Sequence, residues 1–233
     1  MTAPGAVMIF AAGLGTRMGA LTRDRPKPLI EVAGQPLLAH ALALVRAAGI
    51  ARVVVNIHAH APLMRDWLAA NAPEVAVSEE TVLLETGGGL AKARPLLGAG
   101  PVLTLNADMV WRGPNPLAAL RAAWDPARMD GLLALVPRPL ALGHAGAGDF
   151  FRDDAGRLAR RGPAATAPFV YAGAGILDPA TLAPEDGAVF SLNPVWDRLI
   201  ARGRLAGLPW EGTWVDVGRP EGIALAEAEL GRA

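Results

Sequence analysis

A chain of 233 residues is long enough to bury a sizeable core, and one domain spanning residues 1–233 is expected. With 52% hydrophobic and 19% charged residues it lies outside the disordered range, and 22 basic against 22 acidic residues leave no global field to gather nucleic acid or an anionic membrane. The absence of cysteine removes disulfides, thiolate nucleophiles and cysteine-ligated zinc together.

The first apolar run, residues 6–12, is too short for a signal h-region with its flanks, and no later run approaches membrane-spanning length. A cytoplasmic protein is expected, with no membrane or nucleic-acid partner, as a monomer or small homo-oligomer. Continuous apolar strands at 7–12 and 53–57 alternate with amphipathic helices at 37–48 and 63–70, the rhythm of βαβ units with parallel strands buried on both faces. Strand 75–78, a glycine-led helix from about 88 to 97, strand 102–106, helix 117–124 and strand 132–136 continue it. Between 138 and 167, glycine, proline and short charged stretches read as hairpins and loops laid over the sheet. Strands at 169–173 and 214–217 and helices near 192–201 and 221–230 complete a layered α/β fold.

The first strand runs into A-A-G-L-G-T-R-M-G, where Gly13 and Gly15 let backbone N–H groups turn toward a ligand and form an anion nest. A dinucleotide fingerprint would need glycine at Met18, and a Walker A loop would need Lys-Ser/Thr where Ala20 and Leu21 stand. Arg17 lies in the loop, and Pro26 and Pro28 stiffen the backbone around Lys27, so the pair reads as positioned cations for phosphate.

Strand 102–106 ends in Asn106-Ala107-Asp108, which sets Asp108 at the carboxyl end of a buried strand, where open α/β sheets hold ligands. In T-W-V-D-V-G, alternation puts Trp214 and Asp216 on one face and Val215 and Val217 on the other. Two aspartates with substrate phosphates and water suffice for Mg2+, the expected cofactor, whereas Asp108 as a turn-former and Asp216 as a cap are the bland alternatives. His58 and His60 lack a third ligand and read as loop structure, and the tryptophans read mainly as packing.

The run A-A-G-L-G-T-R-M followed by R-P-K-P-L-I-E-V-A-G-Q-P-L resembles the signature of the sugar-1-phosphate nucleotidylyltransferases. The resemblance implies a Rossmann-like three-layer α/β sandwich with a mixed, mostly parallel sheet. It also implies an NTP and a sugar 1-phosphate as substrates and catalytic roles for Arg17, Lys27 and Asp108, with Asp108 and Asp216 on the metal. Ala107 stands where the commoner motif has glycine. Ala11, Ala12, Gly13, Gly15 and Thr16 are then expected to bind substrate, as are Asn106 and the E-T-G-G-G residues Glu85, Thr86, Gly87 and Gly88. Gly148, Gly173 and Asn193 match segments bordering the sugar pocket. Within the family, E-T-G-G-G together with G-T-W-V-D-V-G is most similar to N-acetylmuramate-1-phosphate uridylyltransferases, with UTP as donor, in cell-wall sugar recycling. The chain is also similar to mannose- and glucose-1-phosphate nucleotidylyltransferases. A silent nucleotide-sugar-sensing subunit is the rival reading, although such a subunit would be expected to lose Lys27, Asp108 or Asp216, all present here.

Overall fold

The computed structural model describes residues 3–183 and 188–231. In chain order the elements are β1 (Ala6–Phe10), β2 (Glu31–Val32), β3 (Gln35–Pro36), α1 (Leu37–Ala47), β4 (Arg52–Ile57), α2 (Ala61–Asn71) and β5 (Ala76–Glu79). There follow α3 (Glu85–Leu97), β6 (Val102–Asn106), β7 (Met109–Arg112), α4 (Pro116–Ala123), β8 (Gly131–Pro137), β9 (Ala141–Leu142), β10 (Phe150–Arg152) and β11 (Leu158–Arg160). The last are β12 (Phe169–Leu177), α5 (Asn193–Ala201), β13 (Leu205–Pro209), β14 (Thr213–Asp216) and α6 (Glu221–Leu230).

The large sheet runs β11-β10-β12-β6-β1-β4-β5, with β8 against β12 and β13 against β8. Its centre, β6-β1-β4-β5, is parallel as the apolar runs imply, and antiparallel pairing enters where β12 meets β6, β8 and β10. Strand alternation supplies two cores. Val7, Ile9, Val53, Val55 and Leu103 meet Leu38 and Leu42 of α1, Met64 of α2 and Leu117 of α4. Met8, Val54 and Val102 point the other way, onto Leu90 and Leu97 of α3 and Val195 and Leu199 of α5. The three-layer α/β sandwich follows from that division.

A second sheet, β7-β14-β9, stands apart. Val110, Val215 and Val217 form a small core there with Met18, Ile30, Leu37 and Ala226. Strands β7 and β13 were not expected from the sequence. Strand β7 is four residues directly after a turn, and β13 carries two glycine or proline residues in five. β12 extends four residues beyond the expected strand, past a register shift between Tyr171 and Gly175 that hid its continuity.

The helix expected from about residue 88 begins at Glu85, so the three glycines lie inside it. Gly87 and Gly88 donate their N–H groups to the Phe190 carbonyl at 2.9 and 3.0 Å. A Cβ on Gly87 would come within 2.3 Å of the Phe190 ring, and one on Gly88 within 2.2 Å of the Ala188 oxygen. Alanine ordinarily gains about 1 kcal/mol over glycine inside a helix. Here overpacking reverses the sign, and Gly87→Ala is expected to destabilise the fold by about 1–3 kcal/mol in chemical denaturation. An unchanged or higher midpoint would show that the Phe190 segment yields freely.

Candidate active site

The parallel strands β1, β4 and β6 all end at one edge of the sheet, where a cavity of about 600 Å³ opens. Ala11, Ala12 and Gly13 line it after β1, and Asn106, Ala107 and Asp108 after β6. Lys27, Glu85, Thr86 and Asn193 reach it from the surrounding turns and helices.

The glycine loop is held from below. Asn56, at the end of β4 and 3% exposed, accepts Ala11 N–H through Oδ1 at 2.8 Å and donates through Nδ2 to Glu80 Oε1 at 2.7 Å. Glu80, 2% exposed, accepts Leu84 N–H through its other oxygen at 2.9 Å. Neither residue was singled out from the sequence. An asparagine inside an apolar strand signals a satisfied polar group only once its partners are known.

Gly15 adopts φ 65°, and a Cβ there would approach Lys27 Cβ and Thr22 Cγ2 to 2.9 Å. The loop can therefore lie on the Lys27 turn only with glycine at that point. Lys27 sits in a single 3-10 turn entered from extended Pro26, and its ammonium, largely buried, donates to Asp108 Oδ2 at 2.6 Å. The expected positioned cation and the strand-end carboxylate therefore meet, 81 residues apart in sequence.

Asp216 arrives by strand pairing. β14 runs antiparallel to β7 with Asp216 opposite Met109, and Val217 N–H bonds the Asp108 carbonyl at 3.0 Å. Its Oδ1 is buried without a hydrogen-bond partner. Burial first, then the charge of Asp108, push its carboxyl above the usual carboxylate range, against the pull of Lys27, Arg17 and His144. Helix α6 takes no side-chain cap from it, so the capping alternative fails. Arg17 is exposed, and a Cβ added to Gly218 would stand 2.7 Å from Asp216 Oδ1 and 3.2 Å from Arg17 Nη2. Asp108 and Asp216 are two carboxylates that could share a divalent cation. Among the described residues no cluster of three such side chains exists, so substrate and water would complete the shell.

Other expected site residues stand behind the wall. Gly87 and Gly88 face the Phe190 segment rather than the cavity, and of the expected E-T-G-G-G residues Glu85 and Thr86 line it. Glu85 holds φ 59°, a strained value for a side-chain-bearing residue, on the cavity wall. Gly148, at φ 86°, lies against the Ala167 carbonyl, and Gly173, at φ 80°, makes room for the Asn106 side chain. Gly15, Thr16, Arg17 and Asp216 also lie outside the lining.

The far wall is aromatic and charged: Asp149, Phe150, Arg160, Tyr171 and Trp196 line it. Asp149 accepts Tyr171 N–H through Oδ2 at 2.9 Å. Trp196 is the tryptophan that reaches the cavity, whereas Trp111, Trp210 and Trp214 pack edge to face in the core. His58 and His60 contact the carbonyls of Glu80 and Thr22, as loop structure requires.

Residues 7–145 match the MobA-like NTP transferase domain. The N-acetylmuramate alpha-1-phosphate uridylyltransferase of Caulobacter vibrioides is 43% identical over 99% of this chain and 99% of its own length. Its namesake from Neisseria meningitidis is 36% identical over 96% of this chain and 97% of its own length. Among solved structures, HddC from Yersinia pseudotuberculosis superposes with a TM-score of 0.76 at 19% identity, covering 97% of this chain and 99% of that one, a likeness of fold. Full-length relatives, the sheet edge and the paired Lys27 and Asp108 agree: the chain belongs to the MobA-like NTP transferase family and is a sugar-1-phosphate nucleotidyltransferase.

Proposed function

We propose that this enzyme, residues 1–233 acting as one nucleotidyltransferase domain, transfers UMP from UTP to N-acetylmuramic acid 1-phosphate, giving the UDP-sugar and pyrophosphate in the cytoplasm during cell-wall sugar recycling. The observation that carries the reading is the Lys27–Asp108 contact of 2.6 Å at the cavity, with the unpartnered Asp216 oxygen nearby. The two full-length uridylyltransferase relatives support the choice of base and sugar.

An oxygen of the sugar phosphate attacks the α-phosphorus of UTP, the bond to the bridging oxygen breaks, and pyrophosphate departs with its electron pair. No side chain need become a nucleophile, because positioning and charge neutralisation carry phosphoryl-type transfer. Backbone N–H groups of residues 12–15 and Arg17 would grip the triphosphate, and Lys27 would meet charge at the reacting centre. A buried carboxylate oxygen without a donor, beside a second carboxylate, fits a hard divalent ion. Held by Asp108 and Asp216, Mg2+ would supply neutralisation between the two substrates' phosphates.

Three measurements test this. Initial rates of pyrophosphate release across NTPs and sugar 1-phosphates should be highest for UTP with N-acetylmuramic acid 1-phosphate, with intersecting plots. Parallel lines would rule out direct transfer, and preference for mannose 1-phosphate with GTP would overturn the substrate assignment alone.

Asp108→Asn and Asp216→Asn should each lose roughly 10²-fold or more in rate, and the thermal shift that Mg2+ gives the wild type. In metal-free protein, Asp216→Asn should also melt higher than wild type at neutral pH. Because the folded-state pKa of Asp216 is raised, its ionised form disfavours folding above that pKa, and the penalty disappears as pH falls below the unfolded value. The two melting curves should therefore converge on acidification; a constant gap would assign the difference to packing.

Lys27→Ala should lower kcat more than it raises KM for UTP, whereas Arg17→Ala should do the reverse, because distant triphosphate oxygens are bound alike in ground and transition states. Identical profiles would count against this division.

A further inference from the structure

Two cations line the cavity among the described residues, Lys27 and Arg160. Lys27 is committed to Asp108 at the centre of the proposed chemistry. Arg160 ends β11 on the opposite wall, in register with Phe150 of β10, and is unusually well held for a half-exposed arginine. Its guanidinium carbon lies 5.0 Å from the Phe150 ring centre and 5.6 Å from that of Trp196. Nε donates to Asp197 Oδ1 at 2.7 Å and Nη2 to the Asn193 carbonyl at 3.1 Å.

An ion pair this exposed contributes little stability by itself. Two ring faces, a carboxylate and a carbonyl nevertheless fix the plane of the guanidinium and leave Nη1 without an acceptor among the described residues. A fork with its orientation set in advance and donors to spare suits a planar, bidentate anion. The substrate's own phosphate is needed at Lys27 and Asp108, across the cavity. The anion for Arg160 is therefore a second one, on the sugar. Asp149, the carboxylate on the same wall, is already engaged by Tyr171 N–H.

We propose that Arg160 binds a carboxylate carried by the sugar ring, and so sets the preference for an acidic sugar 1-phosphate over its neutral counterpart. This rests on the assignment of N-acetylmuramic acid 1-phosphate, whose lactyl ether supplies such a carboxylate. The competing role is a clamp between β11 and α5, in which Arg160 would matter equally for every substrate.

N-acetylglucosamine 1-phosphate lacks only the lactyl group and serves as the neutral comparison. In Arg160→Gln the ratio of kcat/KM for the acidic over the neutral sugar should fall roughly 10- to 100-fold, the worth of one hydrogen bond to a charged group, chiefly through KM. Arg160→Lys should recover part of the ratio, since the charge remains without the fork. Asp197→Asn removes the competing negative charge but keeps the cation and an acceptor for Nε, so the ratio should hold or rise. Parallel losses on both sugars in Arg160→Gln, or a fall of the ratio in Asp197→Asn as large as in Arg160→Gln, would overturn the proposal in favour of the clamp. Wild-type preference for the acidic sugar that survives Arg160→Gln would remove the proposal alone. Wild-type protein that ignores the acidic sugar would remove the substrate assignment, and this inference with it.

Discussion

One buried carboxamide ties the working edge of the sheet together. Asn56 holds the N–H of Ala11 behind it and the carboxyl of Glu80 ahead, and Glu80 in turn holds the N–H of Leu84. The ends of β1 and β4, the segment after β5 and the start of α3 are thus joined by one polar chain shielded from water. Unpaired, such groups would each cost several kcal/mol, so the chain admits essentially one arrangement of the four elements. The third glycine of G-G-G belongs to it: a Cβ on Gly89 would meet Glu80 Oε1 at 2.7 Å and Asn56 Nδ2 at 2.9 Å. Because Ala11 opens the glycine loop, the loop's position is inherited from a core interaction rather than from contacts of its own.

The opposing charges are brought in by a different device. Asp108 leaves the large sheet, and the chain turns at once into β7, whose partner β14 carries Asp216 back to it. Two carboxylates and two cations then share a small volume, with Asp216 bearing the cost of burial. Such like-charge crowding destabilises a folded chain and is tolerated where a ligand relieves it. The loop side of the site is therefore built to be rigid, and the carboxylate side is built under electrostatic tension.

What was legible in the sequence follows from the range of the interactions. The buried parallel strands and the helices between them announce themselves through local periodicity, and Asp108 is marked by its place at a strand's end. The motif around Gly13, Gly15, Arg17 and Lys27 is local as well, so its geometry could be anticipated. By contrast, Asn56 and Glu80 are explained by each other across 24 residues, and Gly87 by Phe190 across a greater distance. G-G-G reads only as the opening of a helix until the segment packed against it is known. Strand β7 is too short to show a pattern, and its existence depends on β14, more than a hundred residues later. Arg160 carries no local signal at all. Its aromatic bed is assembled from β10 and α5.

The separation of the two sheets also orders events during synthesis. The residues of β1, β4, β5, β6 and the Lys27 turn have all been made once residue 108 has emerged, and with them those of the loop, the Asn56 chain and the Lys27–Asp108 contact. The second carboxylate resides on β14 and the small core beneath it draws on Val215, Val217 and Ala226. A nascent chain thus carries the glycine loop and both partners of the Lys27–Asp108 contact about a hundred residues before β14 supplies the second aspartate, so the pair of carboxylates is completed well after the loop.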